Sequence, residues 1–359
     1  MRIMHVIGTR PNFVKMAPVI AALERADPDG SHSIVHTGQH YDRMMSGIFL
    51  EELGVREPDH MLGVGSGSHA AQIAGVMAAL AKVVDRQRPE LIVVPGDVNS
   101  TLAASLLAAD RRIAIAHVES GLRSFDRSMP EEVNRVLTDQ LSRLLYTHSE
   151  EAEENLVAEG IGAERIIFVG NTMIDTLVAL EERFRAQQTA AGLGFEAGSY
   201  LLVTLHRPAL VDGPLLGATI DRLAEVASSV PVLFPVHPRT RKELDGAADS
   251  IAGLTLIDPI GYLDFLSLIA DAGAVLTDSG GIQEETTYLG VRCFTLRDNT
   301  ERPVTVRLGT NTLLGLDPSR IAEIPGLIEA GPSGARRPPL WDGLAAERIA
   351  SDVLGRQAP

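Results

Sequence analysis

The sequence predicts an α/β protein of two doubly wound domains facing a central cleft, each a parallel sheet covered by helices. Three observations carry this. Short apolar runs alternate with helix-period segments from end to end. The alternation starts afresh after a stretch of small residues at 186–199. A chain of 359 residues also exceeds the roughly 100–200 residues of one ordinary domain.

In the first half, strands are predicted at "RIMHVIG", "HSIVHT", "LIVVPG", "IAIAHVE", "LLYTHS" and "IIFVG". Residues 69–88 between them carry Ile73, Met77, Leu80 and Val84 at three- and four-residue spacing, the period of an amphipathic helix. The second half repeats the scheme with "YLLVTL", "VPVLFPV", "LTLI", "AVLTDS" and "RCFTL". "AQQTAAGLGFEAGS" (186–199) reads as a linker or exposed loop, and "GPSGARRPPL" (331–340) as a second loop. These signals divide the chain into domains at 1–175 and 176–340. A C-terminal helix within 341–359 is placed to pack back on the first domain.

Hydrophobic residues make up 45% and charged residues 22%, the balance of a globular chain with real cores. No apolar run approaches the ~18 residues that would span a bilayer. One basic residue, Arg2, precedes strand-like sequence, so no signal peptide is expected and the expected location is the cytoplasm. The single cysteine, Cys293, rules out an internal disulfide and reads as a buried strand residue. A net charge of −15 argues against nucleic acid or an anionic membrane as partner. A local cationic pocket for a small anion remains compatible, because screening acts over about 8 Å.

Polar residues bunch at predicted strand ends, where open sheets place their ligands. The first end reads "GTRPNFVKMAP" (8–18): Gly8, then Arg10, Pro11 and Lys15, two cations where nucleotide loops usually carry glycines. Pro11 at a helix start would fix the turn that aims Arg10. Asp97 follows "LIVVP", Glu119 follows "IAIAHV", and Glu131 and Glu132 open a helix after Pro130. Each admits a structural reading: Asp97 as a helix N-cap, and the glutamates as first-turn partners of the helix dipole. Glu119 ends a strand with no helix start beside it. If the three ends share a cleft, mutual repulsion and desolvation would raise at least one carboxylate pKa and make an acid/base set.

In the second domain the strand ends carry His206 and Arg207, then His237 and Arg239, then "DSGGIQEE" with Glu284. Ser279, Gly280 and Gly281 would form a tight turn exposing N–H groups to a phosphate at a helix start. Glu285, one turn further, could accept from ribose hydroxyls. An ordinary serine cap with glycines for packing is the other reading. "GVGSGS" (63–68) lacks the third glycine of a dinucleotide fingerprint and reads as a surface loop. Histidines and carboxylates lie far apart and no H-E-x-x-H pairing occurs, so no metal site is expected.

Taken together the motifs resemble the non-hydrolysing UDP-N-acetylglucosamine 2-epimerases. "GTRPNFVKMAP", "TGQHYD", "PGDVNSTLAAS", "HVESGLRS", "MPEEVNR", "VGNTMIDTL", "TLHRP", "PVHPR", "LTDSGGIQEE" and "LRDNTERP" occur in the family's order over nearly the whole chain. The resemblance implies two Rossmann-like domains in the glycosyltransferase-B arrangement, usually a homodimer, interconverting UDP-GlcNAc and UDP-ManNAc without NAD or an obligatory metal. It implies UDP elimination to 2-acetamidoglucal and readdition. Asp97, Glu119 and Glu131 would be the acid/base and sugar-positioning carboxylates. Arg10 and His206 would hold the diphosphate, supported by Lys15. Ser279, Gly280 and Gly281 would bind phosphate, Glu285 the ribose, Phe265 the uracil side, and Arg302 another part of UDP.

Departures from the family pattern include Ile260 where some members carry glutamine, and Asn12 where glutamate is common. "HRP" at 206–208 replaces "HRRE". Three other readings stand beside the main one: an epimerase of a modified sugar such as UDP-2,3-diacetamido-glucuronate, a glycosyltransferase of the same fold, and a silent nucleotide-sugar-binding module. The "GTRP" opening, rather than a "GARPQ-IK"-like one, favours plain UDP-GlcNAc. Substrate-activated members carry "QHRQ" or "QHRE" and a later arginine, whereas this chain has "QHYD" (39–42) and "GSGSHA". The enzyme is therefore predicted to escape activation by UDP-GlcNAc. Hyperbolic UDP-ManNAc kinetics are expected, and sigmoidal kinetics relieved by traces of UDP-GlcNAc would refute this.

Overall fold

The computed structural model describes residues 1–38, 49–211, 213, 215–236, 238–244, 251–331 and 334–356, excepting the side chains of 208, 209, 238, 239 and 242. The "QHYD" stretch and His237 lie outside the described residues, as does the side chain of Arg239. The chain divides into two compact units, Met1–Ala179 with Pro339–Pro359, and Leu180–Pro338. The division falls within helix Thr172–Gln187.

Unit 1 is built on seven parallel strands: β1 (Arg2–Ile7), β2 (Ser31–His36), β3 (His60–Met61), β4 (Leu91–Pro95), β5 (Ala114–Val118), β6 (Leu144–Thr147) and β7 (Ile166–Phe168). Their spatial order is β3-β2-β1-β4-β5-β6-β7. Every residue of β4 is buried, because helices cover both faces of a parallel sheet. Side-chain alternation still sorts the strands. Leu91 and Val93 pack with Ile3 and Ile7 into one layer, while Ile92 and Val94 pack with Met4 and Val6 into the other. Helix His69–Gln87 buries Val76, Leu80, Val83 and Val84 and is capped by Ser68, which accepts from Ala71 N. Ile73 and Met77, predicted on the same face, are only half-buried.

Unit 2 repeats the plan with β8 (Leu201–Thr204), β9 (Val232–Pro235), β10 (Leu254–Ile257), β11 (Ala274–Thr277), β12 (Arg292–Thr295) and β13 (Asn311–Leu313). Its order is β10-β9-β8-β11-β12-β13, again parallel. Both sheets therefore reverse their winding once, between β1 and β4 and between β8 and β11. The carboxyl ends of strands flanking such a reversal are open to a ligand. Strands β3 and β13 escaped the sequence reading: two or three residues at a sheet edge are too few for a periodic pattern. Cys293 is buried on β12.

The 186–199 stretch is mostly exposed, as the loop reading expects, but it carries some helix. Helix Thr172–Gln187 runs into it, and a short helix, Thr189–Gly192, follows. Thr189 donates through Oγ1 to Asp264 Oδ1 at 2.9 Å and through N to Ser267 Oγ, while Ala190 is buried. The bonds of Thr189 and the burial of Ala190 are what hold the start of this segment to unit 2. No helix of the described residues is long and apolar enough to cross a membrane.

Helix Ala345–Gly355 adds Ala345, Ala346, Ile349, Ala350 and Val353 to the unit 1 core. Just before it, buried Trp341 donates from Nε1 to His148 O. The first N–H groups of this helix lack a capping side chain of their own. Asp175, from helix Thr172–Gln187, accepts them instead, from Ala345 N at 3.1 Å and Ala346 N at 2.6 Å. Burial outweighs these bonds and pushes the Asp175 carboxyl up to about 6. Because the folded value is the higher one, Asp175 contributes most to stability below the unfolded pKa. That contribution is lost as pH rises through the folded value. Between pH 4 and 6 the wild type is therefore expected to lose on the order of 2–3 kcal/mol relative to Asp175→Asn. Urea midpoints of both proteins across that window check this, and parallel curves would reject it.

Candidate active site

In unit 1 the turn from β1 into helix Arg10–Ala26 is set by sequence-local contacts. Thr9 caps the helix, and its N and Oγ1 both donate to Asn12 Oδ1, at 3.2 and 2.9 Å. Asn12 thus takes the back-reaching role that Glu or Gln fills in a capping box. Gly8 is required by close approach, since a β-carbon there would lie 2.8 Å from Ser100 Cβ. Arg10, the first helical residue, is exposed and has no ion-pair partner among the described residues.

Lys15 faces inward. Its Nζ lies 2.5 Å from Glu119 Oε2, with both side chains at least nine-tenths buried. Glu119 stands at the end of β5 with φ +66°, a left-handed conformation that costs a side chain with a β-carbon roughly 1–3 kcal/mol. Its other oxygen, Oε1, lies 3.3 Å from Arg135 Nη2, and Arg135 Nη1 donates to the Glu119 carbonyl. The same Nη2 lies 2.5 Å from Asp97 Oδ2.

Asp97 is therefore not an N-cap. Val98 occupies that position for helix Asn99–Asp110, and the Asp97 side chain turns to Arg135. The carboxylate repulsion expected from the sequence is met by two cations: Arg135 bridges Asp97 and Glu119, and Lys15 neutralises the latter from the opposite side. The structure thus joins Asp97 and Glu119 through Arg135.

Glu131 sits in the exposed first turn of helix Pro130–Leu141, with no hydrogen bond or ion pair among the described residues. Glu132 is the buried one, accepting from Ser124 N, Ser124 Oγ and Phe125 N at 2.7, 2.9 and 3.1 Å, which shapes the preceding loop. Arg135 escaped the sequence reading. Its only local signal is its place one turn beyond Glu131 on the same helix.

In unit 2, Ser279 caps helix Gly280–Leu289 but makes no side-chain bond to its N–H groups. The predicted tight turn is corrected here: Gly280 and Gly281 are the first two helical residues. Gly280 is small because the Arg302 guanidinium lies over it, and a β-carbon would meet Arg302 Nη1 at 2.4 Å. Arg302 donates from Nε to Glu284 Oε1 at 2.8 Å and from Nη1 to Glu301 Oε2 at 3.4 Å. Arg297 grips Glu301 with two bonds, and Arg207 Nη2 lies 4.0 Å from it. Burial first, and then the charge of Arg297, lower the pKa of Arg207. Three guanidinium groups thus gather round Glu301, and one of them, Arg302, lies over the helix N-terminus.

Glu285 is buried and accepts from Tyr262 Oη at 2.9 Å. Burial pushes its carboxyl up to about 8, so it is protonated at neutral pH. Phe265 stands half-buried on helix Tyr262–Asp271, three residues beyond Tyr262. The side chain of His206, past the end of β8, is 58% exposed, with Nδ1 2.8 Å from Asp278 Oδ1. Asp278 also accepts through Oδ2 from His206 N and Arg207 N. Burial opposes its charge, but these contacts hold it below the usual carboxylate range. Asp278 and Tyr262 went unnoticed in the sequence, although Asp278 immediately precedes Ser279.

Among the described residues no group of three or more His, Cys, Asp or Glu side chains is arranged to hold a metal ion. His32 and His36, four apart, stack on His5 and Phe13 respectively.

The family model described as UDP-N-acetylglucosamine 2-epimerase matches residues 22–354. The chain is 42% identical over 326 residues to the UDP-N-acetylglucosamine 2-epimerase of Methanocaldococcus jannaschii, covering 88% of each chain. It is 39% identical over 328 residues to the UDP-2,3-diacetamido-2,3-dideoxy-D-glucuronate 2-epimerase of Pseudomonas aeruginosa, covering 90% of this chain and 91% of that one. The crystal structure of the Methanocaldococcus jannaschii UDP-GlcNAc 2-epimerase in complex with UDP-GlcNAc and UDP superposes with a TM-score of 0.90 at 38% identity. That match covers 99% of this chain and 100% of the other. With the family model matching residues 22–354, most of both Rossmann-like units, and a relative at 42% identity over 88% of the chain, the chain belongs to the UDP-N-acetylglucosamine 2-epimerase family.

Proposed function

We propose that this protein interconverts UDP-N-acetylglucosamine and UDP-N-acetylmannosamine by eliminating and readding UDP. The observation that carries the reading is the Asp97–Arg135–Glu119 arrangement in unit 1, with Lys15 on the far side of Glu119. A sugar C2–H is too weakly acidic for direct removal near neutral pH. As the C1–O bond to UDP breaks, positive charge builds at C1 and acidifies C2–H. A carboxylate then takes that proton, leaving 2-acetamidoglucal and UDP, and reprotonation from the opposite face with return of UDP inverts the centre. Asp97, Glu119 and Glu131 are assigned to this proton traffic and to holding the sugar.

The departing diphosphate needs fixed positive charge. Arg10 and His206 are assigned to it, His206 oriented by Asp278. Ser279, Gly280 and Gly281 offer backbone N–H groups, with Arg302 beside them. Glu285 is assigned to the ribose hydroxyls and Phe265 to the uracil. A second reading, a 2,3-diacetamido-glucuronate substrate, is favoured by the 39% identity to the Pseudomonas aeruginosa relative of that name.

Incubating the purified protein with each UDP-sugar in heavy water tests both. Deuterium at C2 together with UDP-ManNAc is the expected outcome with UDP-GlcNAc. Turnover of the diacetamido sugar alone would select the second reading, and exchange with neither would sink both. Because charge on UDP grows as the C1–O bond breaks, Arg10→Ala is expected to lower kcat more than it weakens UDP binding. An unchanged kcat with only a raised KM would reduce Arg10 to a binding contact.

A further inference from the structure

One buried ring is bonded to every element that carries the unit 1 acid/base groups. His117, on β5 two residues before Glu119, is fully buried. Its Nε2 lies 2.7 Å from the carbonyl oxygen of Gly96, the residue that joins β4 to Asp97. Its Nδ1 lies 2.6 Å from Asp139 Oδ1, on the helix Pro130–Leu141 that also carries Glu131 and Arg135. The other oxygen of Asp139 accepts from Gly121 N at 3.2 Å and lies 2.7 Å from Arg123 Nη2. Arg123 in turn grips Glu159 with two bonds of 2.7 Å. The strand end of Asp97, the strand end of Glu119 and the helix of Arg135 are thus tied through His117 and Asp139.

Both oxygens facing the ring are acceptors, a carbonyl and a carboxylate. A neutral imidazole has one N–H and would leave a lone pair against the second oxygen. Asp139 Oδ2 accepts from Gly121 N and faces the Arg123 guanidinium at 2.7 Å, contacts that favour the ionised carboxylate, so the oxygen toward the ring is an acceptor. The geometry asks for a hydrogen on each ring nitrogen. Such a buried charged network is a poor device for stability alone, since apolar residues of similar volume usually serve as well or better. It is a good device for fixing positions, and Glu119, at φ +66°, needs surroundings that over-determine it.

We propose that His117 is a positioning residue whose doubly protonated ring sets the mutual placement of Asp97, Glu119 and Arg135. This rests on the epimerase reading above. Misplacing these groups by about 1 Å would cost up to roughly 100-fold in rate, whereas the UDP contacts assigned to unit 2 lie on other elements.

The test uses the full chain. In wild type labelled with nitrogen-15 at histidine, both ring nitrogens of His117 are expected to carry hydrogen, whether or not any sugar turns over. A spectrum with one bare nitrogen overturns the proposal. Exchange at C2 by the wild type in heavy water separately establishes the reaction, so its absence would fail the functional reading and not the ring assignment. In the active enzyme, His117→Phe is expected to lower kcat roughly 10- to 100-fold with UDP affinity unchanged. His117→Gln, which keeps a donor toward Gly96 O, should recover part of that loss. Wild-type kcat in His117→Phe, or kcat and UDP affinity falling together in His117→Gln, overturns the proposal. If the Phe variant does not fold, His117→Gln and the wild-type spectrum decide it.

Discussion

A guanidinium placed between two carboxylates is the interaction around which unit 1 is organised. Arg135 reaches 38 residues back to Asp97 and 16 back to Glu119, with one nitrogen facing both. Taking such charges out of water costs several kcal/mol per ion, and only close, multiply bonded geometry offsets it. The surrounding features serve that geometry. Lys15 balances Glu119, Asn134 donates to the Asp97 carbonyl, and the left-handed backbone at Glu119 turns its side chain toward both cations. Removing either cation would leave Glu119, which is buried, facing one cation in place of two, a larger loss than that of an exposed surface pair.

The sheet order explains why these groups can meet. Strands β4 and β5 are neighbours, so Asp97 and Glu119 leave adjacent strand ends on the same side of the sheet. Helix Arg10–Ala26, following β1 on the other side of β4, brings Lys15 to the same edge. Gly96, at φ +60°, keeps that edge open, with Lys15 Nζ 3.4 Å from where its β-carbon would be.

Unit 2 repeats the reversed winding with different side chains at its strand ends. Its strand ends gather guanidinium groups beside a helix whose N-cap, Ser279, makes no side-chain cap bond among the described residues, an arrangement suited to an anion. Glu285 departs from the cationic theme: it is buried, accepts from Tyr262, and has its carboxyl pushed up to about 8, first by burial.

The architecture was legible because both faces of each sheet are buried. Strands such as "LIVVP" become unbroken apolar runs, and the helices between them keep a readable period. Strand-end polarity then pointed to Asp97, Glu119, His206 and Ser279 without any knowledge of strand order. The short edge strands β3 and β13 and the helix Thr189–Gly192 were invisible because elements of two to four residues leave no periodic signal. Arg135, Asp278 and Tyr262 were invisible for another reason. Each acts on a partner 16 to 72 residues away, and an arginine in "EEVNR" looks the same whether it faces solvent or two carboxylates. By itself the sequence determined which elements form and which of their ends are polar, since those depend on local period and burial. Only the tertiary structure decided which charges neutralise one another, because that depends on the order in which strands lie side by side.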